Sequence, residues 1–152
     1  PYACVFVYEC LRAYLPNLNL RNLGAFFALV FSCTTLILGI VFIDNLYTGV
    51  TSLLAFALTI VLYYGAKIKW YGYFVVTFII VQIPFFFVNG ALTGMFTPEP
   101  IVWYNEAEIM GPRWVSIPLE DTLYNYAFLM MVFYLYHLLK NKADSKKLDI
   151  ID

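Results

Sequence analysis

The chain has 152 residues, of which 62% are hydrophobic, 20% aromatic and only 12% charged. Soluble domains run about 45–50% apolar and about 25% charged. A water-soluble globular domain, a disordered chain and a charge-rich nucleic-acid binder are therefore excluded, and an integral membrane protein remains. The net charge of −1 gives no global field to steer a partner. Cys4, Cys10 and Cys33 lie in apolar runs without CxxC spacing. They read as small buried residues, not as a disulfide framework, and no metal site is expected.

A bilayer core of about 30 Å takes about 20 apolar residues at about 1.5 Å each. Pro1 to Tyr14 is apolar from the start, lacks an initial methionine and is short for a span. It reads as the tail of a truncated helix, and the chain as a piece of a longer one. Leu23–Phe42 supplies a full span without a charge, and Thr48–Tyr64 a shorter one. Tyr71–Val88 is the third, with a kink expected at Pro84, and Pro118–Leu139 the fourth. Lipid permits only helices or closed barrels, and strand-like alternation is absent. The expected fold is an all-α polytopic transmembrane bundle, with four full spans and a truncated leading helix in residues 1–139. A mobile polar tail, residues 140–152, follows.

Arg12, Arg21, Lys67, Lys69, Lys140, Lys142, Lys146 and Lys147 fall on alternate joints, and Arg113 stands alone on the other side with Glu99, Glu106 and Glu108. The positive-inside rule then places the C-terminus in the cytoplasm and the long loop from Asn89 to Ser116 outside. Trp70, Tyr71 and Tyr73 read as one interfacial belt, and Trp103, Tyr104 and Trp114 as the other.

There is a short internal echo. Val5-Phe6-Val7-Tyr8-Glu9-Cys10-Leu11-Arg12 and Phe133-Tyr134-Leu135-Tyr136-His137-Leu138-Leu139-Lys140 share an aromatic, a tyrosine, a leucine and a base at an offset of 128. If it is a repeat, the leading segment is the inner half of a helix like the last one. Transporters also use repeats, so the echo names no function.

The segment richest in chemistry runs from Gly111 through Pro112, Arg113, Trp114, Val115, Ser116, Ile117, Pro118 and Leu119 to Glu120 and Asp121. Pro118 fits the first turn of a helix, which puts both acids near the positive end of the helix dipole. Adjacent carboxylates resist a second charge, so the pair is expected to hold one proton between them, an acid and a base in one site. The competing reading is that both only neutralise the helix start in the headgroup region. Arg113 would pair with either carboxylate or with a lipid phosphate. Helical spacing carries Tyr124 and Asn125 down from Glu120 and Asp121, and aromatic rings beside the acids would steady a transient cation. Glu9 is a further polar candidate. Asn89 to Gly94 reads as a turn with a glycine stop, Asp44-Asn45 as a connecting turn, and His137 as interfacial. No phosphate-binding loop, dinucleotide fingerprint or metal-ligand cluster occurs.

The ordered set Asn89-Gly90-x-Leu92-Thr93-Gly94, Tyr104-Asn105, Gly111-x-Arg113 and Ile117-Pro118-Leu119-Glu120-Asp121 resembles the small integral-membrane lycopene cyclases. These are the heterodimeric bacterial type, fused in one chain in some bacteria and joined to phytoene synthase in fungi. The opening Pro1 to Glu9 resembles the stretch after the first Pro-Leu-Glu-Glu motif of fused members. The resemblance implies two related halves, of which this chain carries the second, with a sister subunit or upstream half as partner. It implies a bacterial cytoplasmic membrane, a lycopene-like linear carotenoid as substrate, and no cofactor. The implied reaction is non-redox. An acid protonates the terminal double bond, the next double bond attacks the tertiary cation to close a six-membered ring, and a base removes a ring proton to leave a β-ring. Glu120 and Asp121 are the acid and base, in either order. Arg113, Trp114, Tyr124, Asn125 and Glu9 are candidates for binding substrate or steadying the cation. C50-carotenoid cyclases and other carotenoid-modifying relatives share the motifs. Two rivals of other classes are a proton-coupled transporter or channel subunit and a non-catalytic carotenoid-binding scaffold. Against the first, the last helix below Asn125 turns apolar at Ala127, Phe128, Leu129, Met130 and Met131.

Overall fold

A computed structural model describes Tyr2–Leu148. Five helices run in chain order: α1, Tyr2–Tyr14; α2, Arg21–Val41; α3, Leu46–Leu58; α4, Tyr71–Leu92; and α5, Glu120–Leu148. A wider π turn, Thr59–Gly65, extends α3. Four segments are long and apolar enough to cross a membrane: Arg21–Val41, Leu46–Gly65, Tyr71–Leu92 and Glu120–Ser145. All satisfy their backbone internally, as a lipid environment demands.

Sequence explains why these helices approach closely. The buried face of α2 is Gly24, Ala28, Ser32, Thr35 and Gly39, and that of α3 is Thr48, Gly49, Thr51, Ser52 and Ala55. Membrane helices gain little by hiding leucine from lipid, so small residues that let backbones meet form the seams. The buried hydroxyls return to their own helix: Ser32, Thr35, Thr51, Thr59 and Thr77 each donate to the carbonyl four residues back. Large aliphatic and aromatic side chains such as Leu29, Ile37, Ile83 and Phe87 face outward. Tyr71, Phe74, Phe78, Tyr126 and Phe133 fill the interior, many edge to face.

Successive spans reverse direction. One end gathers the starts of α2 and α4 with the end of the π turn. The other gathers the starts of α3 and α5 with the last turns of α4. The second end is capped by the segment from Thr93 to Leu119, which Asn45 pins by donating to the carbonyls of Ala107 and Ile109 at 2.9 and 3.1 Å. Glu108 accepts from the amide of Leu46 at the start of α3.

Several expectations change. Pro118 is not in the first turn of α5. It lies in β2 (Ile117–Pro118), paired antiparallel with β1 (Arg113–Trp114), and the amide of Leu119 bonds Pro112, so the helix begins two residues later, at Glu120. Strand pairing is thus present in this two-residue hairpin, outside the spans. Pro84 lies inside α4 on an exposed face, and α4 runs on to Leu92, four residues beyond the expected end of that span. Cys33 is exposed and not buried, since it sits on the side of α2 opposite the small-residue seam. The expected mobile tail is helical as far as Leu148, with lysine and alanine among Lys140–Ala143 that favour helix. The rest of that tail lies outside the described residues.

Candidate active site

Glu120 and Asp121 open α5, and both are buried, Glu120 completely and Asp121 to within 4%. Their surroundings differ. Asp121 accepts three hydrogen bonds. Tyr47 donates to Oδ1 at 2.7 Å, and Asn89 and Tyr104 donate to Oδ2 at 2.5 and 2.7 Å. Glu120 takes both of its bonds on one oxygen: the Thr48 hydroxyl at 2.5 Å and the Met110 amide at 2.6 Å reach Oε1. Oε2 is buried and has no partner. An ionised carboxylate only accepts, and three donors satisfy it well. Glu120 therefore keeps one buried oxygen open to a further hydrogen-bond partner, whereas both oxygens of Asp121 are engaged.

Four elements build this arrangement. Tyr47 and Thr48 stand in the first turn of α3, Asn89 one turn before the end of α4, and Tyr104 and Met110 in the capping segment. Gly94, at φ +95°, turns the chain out of α4 where a side chain would be strained. The hairpin tip holds Val115 at φ +58°, an uncommon conformation for a β-branched residue. Bonds from Arg113 to the Ser116 carbonyl at 2.9 Å and between Thr93 and Ser116 at 2.7 Å hold it there. Burial, and then its hydrogen bond to Asp121, push the Tyr104 phenol up, so it remains a donor through the neutral range.

Among the described residues, no cation touches the pair. Arg113 bonds Glu106 at 2.6 Å, and its guanidinium lies 5.7 Å from the centre of the Tyr104 ring. It acts on the site only through that ring and the hairpin, not by pairing with Glu120 or Asp121. Tyr124 is half exposed and stacks on Phe128 at 6.3 Å, on another flank of α5 from the donors. Asn125 is buried beneath the pair. Trp114 joins Gln82, Phe85, Phe86, Ile117 and Thr122 around a largely apolar groove of about 380 Å³ beside the start of α5.

Glu9 belongs elsewhere. It bonds Tyr136 at 2.7 Å and Lys140 at 3.1 Å, with Arg12 at 3.8 Å. Tyr136 is 16 residues along α5 from Glu120, about 24 Å at the helical rise. His137 is likewise remote, stacked on Trp70 at 4.8 Å and bonded to Tyr8 at 3.0 Å. The contacts there reproduce the sequence echo. Tyr8 meets His137 as Tyr136 meets Glu9, and Arg12 lies 5.6 Å over Tyr8 as Lys140 lies 5.5 Å over Tyr136.

The residues missed by sequence reasoning are Tyr47, Thr48, Asn89 and Tyr104. Asn89 and Tyr104 belong to the short motifs that carried the family resemblance, so a signal existed, though a turn and an interfacial ring seemed sufficient roles. Tyr47 and Thr48 gave none, because only the fold brings the start of α3 to the start of α5.

The fold defines a polytopic helical membrane protein with a pair of buried carboxyls at one end of the bundle. The sequence model of the lycopene cyclase family matches residues 44–139, and the chain belongs to that family. The match takes in both acids and every side-chain donor to them. It carries with it a place in carotenoid synthesis and a carotenoid cyclase role. No curated protein sequence and no solved structure matches the chain.

Proposed function

We propose that this protein closes β-rings at the ends of lycopene, with Glu120 as the acid and Asp121 as the base. The unequal donor sets of the two carboxyls carry the assignment. Glu120 delivers the proton on Oε2 to the terminal double bond, and the adjacent double bond attacks the tertiary cation. Asp121, held as a carboxylate by Tyr47, Asn89 and Tyr104, removes the ring proton. A transfer from Asp121 back to Glu120 restores the site, so no net proton or electron is exchanged. The Tyr47 and Tyr104 rings, 6.0 Å apart, flank the carboxylate and suit a passing carbocation. Water is a competing nucleophile, and burial of both acids keeps it away. The polyene body rests along the groove beside α5, against Trp114 and the phenylalanines of α4. No cofactor takes part. The matched contacts of α1 with α5 support a two-repeat arrangement, in which an upstream half or sister subunit completes the site. The distribution of basic residues supports a cytoplasmic C-terminus.

Expression in a lycopene-accumulating bacterial host, alone and with a sister subunit of the family, tests this by chromatography of the extracted pigments. β-Ringed products should form with the partner and disappear with E120Q or D121N. Lycopene left unchanged in both arrangements, with the protein inserted, sinks the reading. Rings of another type, or activity only on C50 substrates, would transfer the same site to one of the related activities. The transport reading has one observation in its favour: buried Thr48, Ser52 and Thr59 line α3, and Thr59 bonds Tyr126, which bonds Tyr71. It predicts proton flux in vesicles that carry the protein and no carotenoid.

A further inference from the structure

The end of the bundle remote from Glu120 holds a cavity of about 740 Å³, between the starts of α2 and α4 and the end of the π turn. Its charged lining is Arg21, Lys67 and Lys69, with no carboxylate among the lining residues. None of the three cations makes a salt bridge among the described residues; the carboxylate of Glu9 is taken by Arg12 and Lys140. Like charges gathered without a counter-ion repel each other, so this arrangement favours an anion between them. The backbone adds to the same field. α2 and α4 both open into the cavity, and neither start has a side-chain cap. Gly72 makes their approach possible, since a Cβ there would fall 2.7 Å from the Leu20 carbonyl oxygen. Lys67 is held at φ +50°, which turns the chain sharply at the cavity mouth. The remaining wall is mostly apolar or aromatic, with Leu18, Ile68 and Tyr63, and includes Asn19, whose side-chain oxygen accepts from the Arg21 amide at 3.4 Å.

We propose that this cavity binds the phosphate of an anionic phospholipid. The cations and uncapped amides take the phosphate, and the apolar wall takes the glycerol and the first methylenes of the chains. The volume exceeds what a free phosphate needs, and the position at the ends of three membrane spans sets it at headgroup depth. Basic pockets between spans are where such headgroups bind. The carotenoid substrate is a hydrocarbon and has no use for three cations, so this site serves the lipid and is separate from the acid pair.

The test uses purified protein in neutral detergent, with dioleoyl phosphatidylglycerol, dioleoyl phosphatidylcholine or pyrophosphate added. It reads melting temperature and lipid retained in native mass spectrometry. Phosphatidylglycerol should raise the melting temperature by about 3 °C and phosphatidylcholine should not. Retention of phosphatidylglycerol should fall several-fold in the triple variant R21Q/K67Q/K69Q and remain in K142Q, which removes an exposed charge outside the cavity. Salt should weaken the effect, because these charges are exposed. Equal stabilisation of the wild type by both lipids overturns the proposal whatever the variants do. Stabilisation by pyrophosphate that phosphatidylglycerol cannot match overturns the lipid assignment in favour of a soluble phosphate. The readout contains no carotenoid, so failure of cyclisation leaves this result intact.

Discussion

The two ends of α5 use similar residues for opposite purposes. At its start, two carboxyls meet tyrosine, threonine, asparagine and a backbone amide, and no cation. Toward its other end, one carboxyl meets tyrosine together with Lys140 and Arg12. Neutral donors orient a carboxyl without cancelling its charge, so it can still give or take a proton. Cations compensate the charge and fix it, which suits a joint between helices. Glu9 and Glu120 look alike in a list of intramembrane acids, and their partners separate them.

The sharpest way to break this contrast is to neutralise each carboxyl in turn. In the complete assembly, E120Q and D121N should each lower cyclisation by about 10² to 10⁴, with insertion intact, while E9Q should stay within a few-fold of wild type. Pigment ratios after equal expression check this. Loss of activity in E9Q as deep as in E120Q would erase the distinction between the ends.

Removing donors sharpens the comparison within the acid end. Y47F, Y104F and N89L each take one hydrogen bond from the base, and a bond to a charged group is worth about 1.5–3 kcal/mol. Cyclisation should fall roughly 10-fold or more in each, since about 1.4 kcal/mol corresponds to one decade. T48V removes a donor from Glu120 Oε1 and leaves the unpartnered Oε2 alone, so its loss should be smaller than that of Y104F. Initial rates in membranes distinguish the four. The reverse order would exchange the acid and base roles.

Between the two ends lies the buried chain Thr59–Tyr126–Tyr71, with bonds of 2.8 and 2.9 Å. Y126F should cost about 1 kcal/mol of stability, read as a lower melting temperature, and should leave cyclisation nearly unchanged. A large fall in activity at unchanged stability would instead tie this chain to proton movement. The smallest effect is expected at the basic end. The Glu9 ion pairs are more than a third exposed, so E9Q should shift stability by no more than about 1 kcal/mol.

The sequence by itself determined the helical membrane class, four spans, the separation of basic from acidic joints, the family and the two acids. Hydropathy, charge and short motifs are local properties, and lipid allows few backbone solutions, so they were legible residue by residue. Pro118 and the tail show where that reading falls short. A proline signals a boundary only until the neighbouring backbone decides whether its ring has room. Arg113 shows the same limit, because its choice between carboxylates depended on where Glu106 came to lie. Only the tertiary structure separated Glu120 from Asp121 and both from Glu9. Hydrogen-bond partners in this bundle lie up to 131 residues apart along the chain, and a side chain's proton chemistry is set by what surrounds it in space.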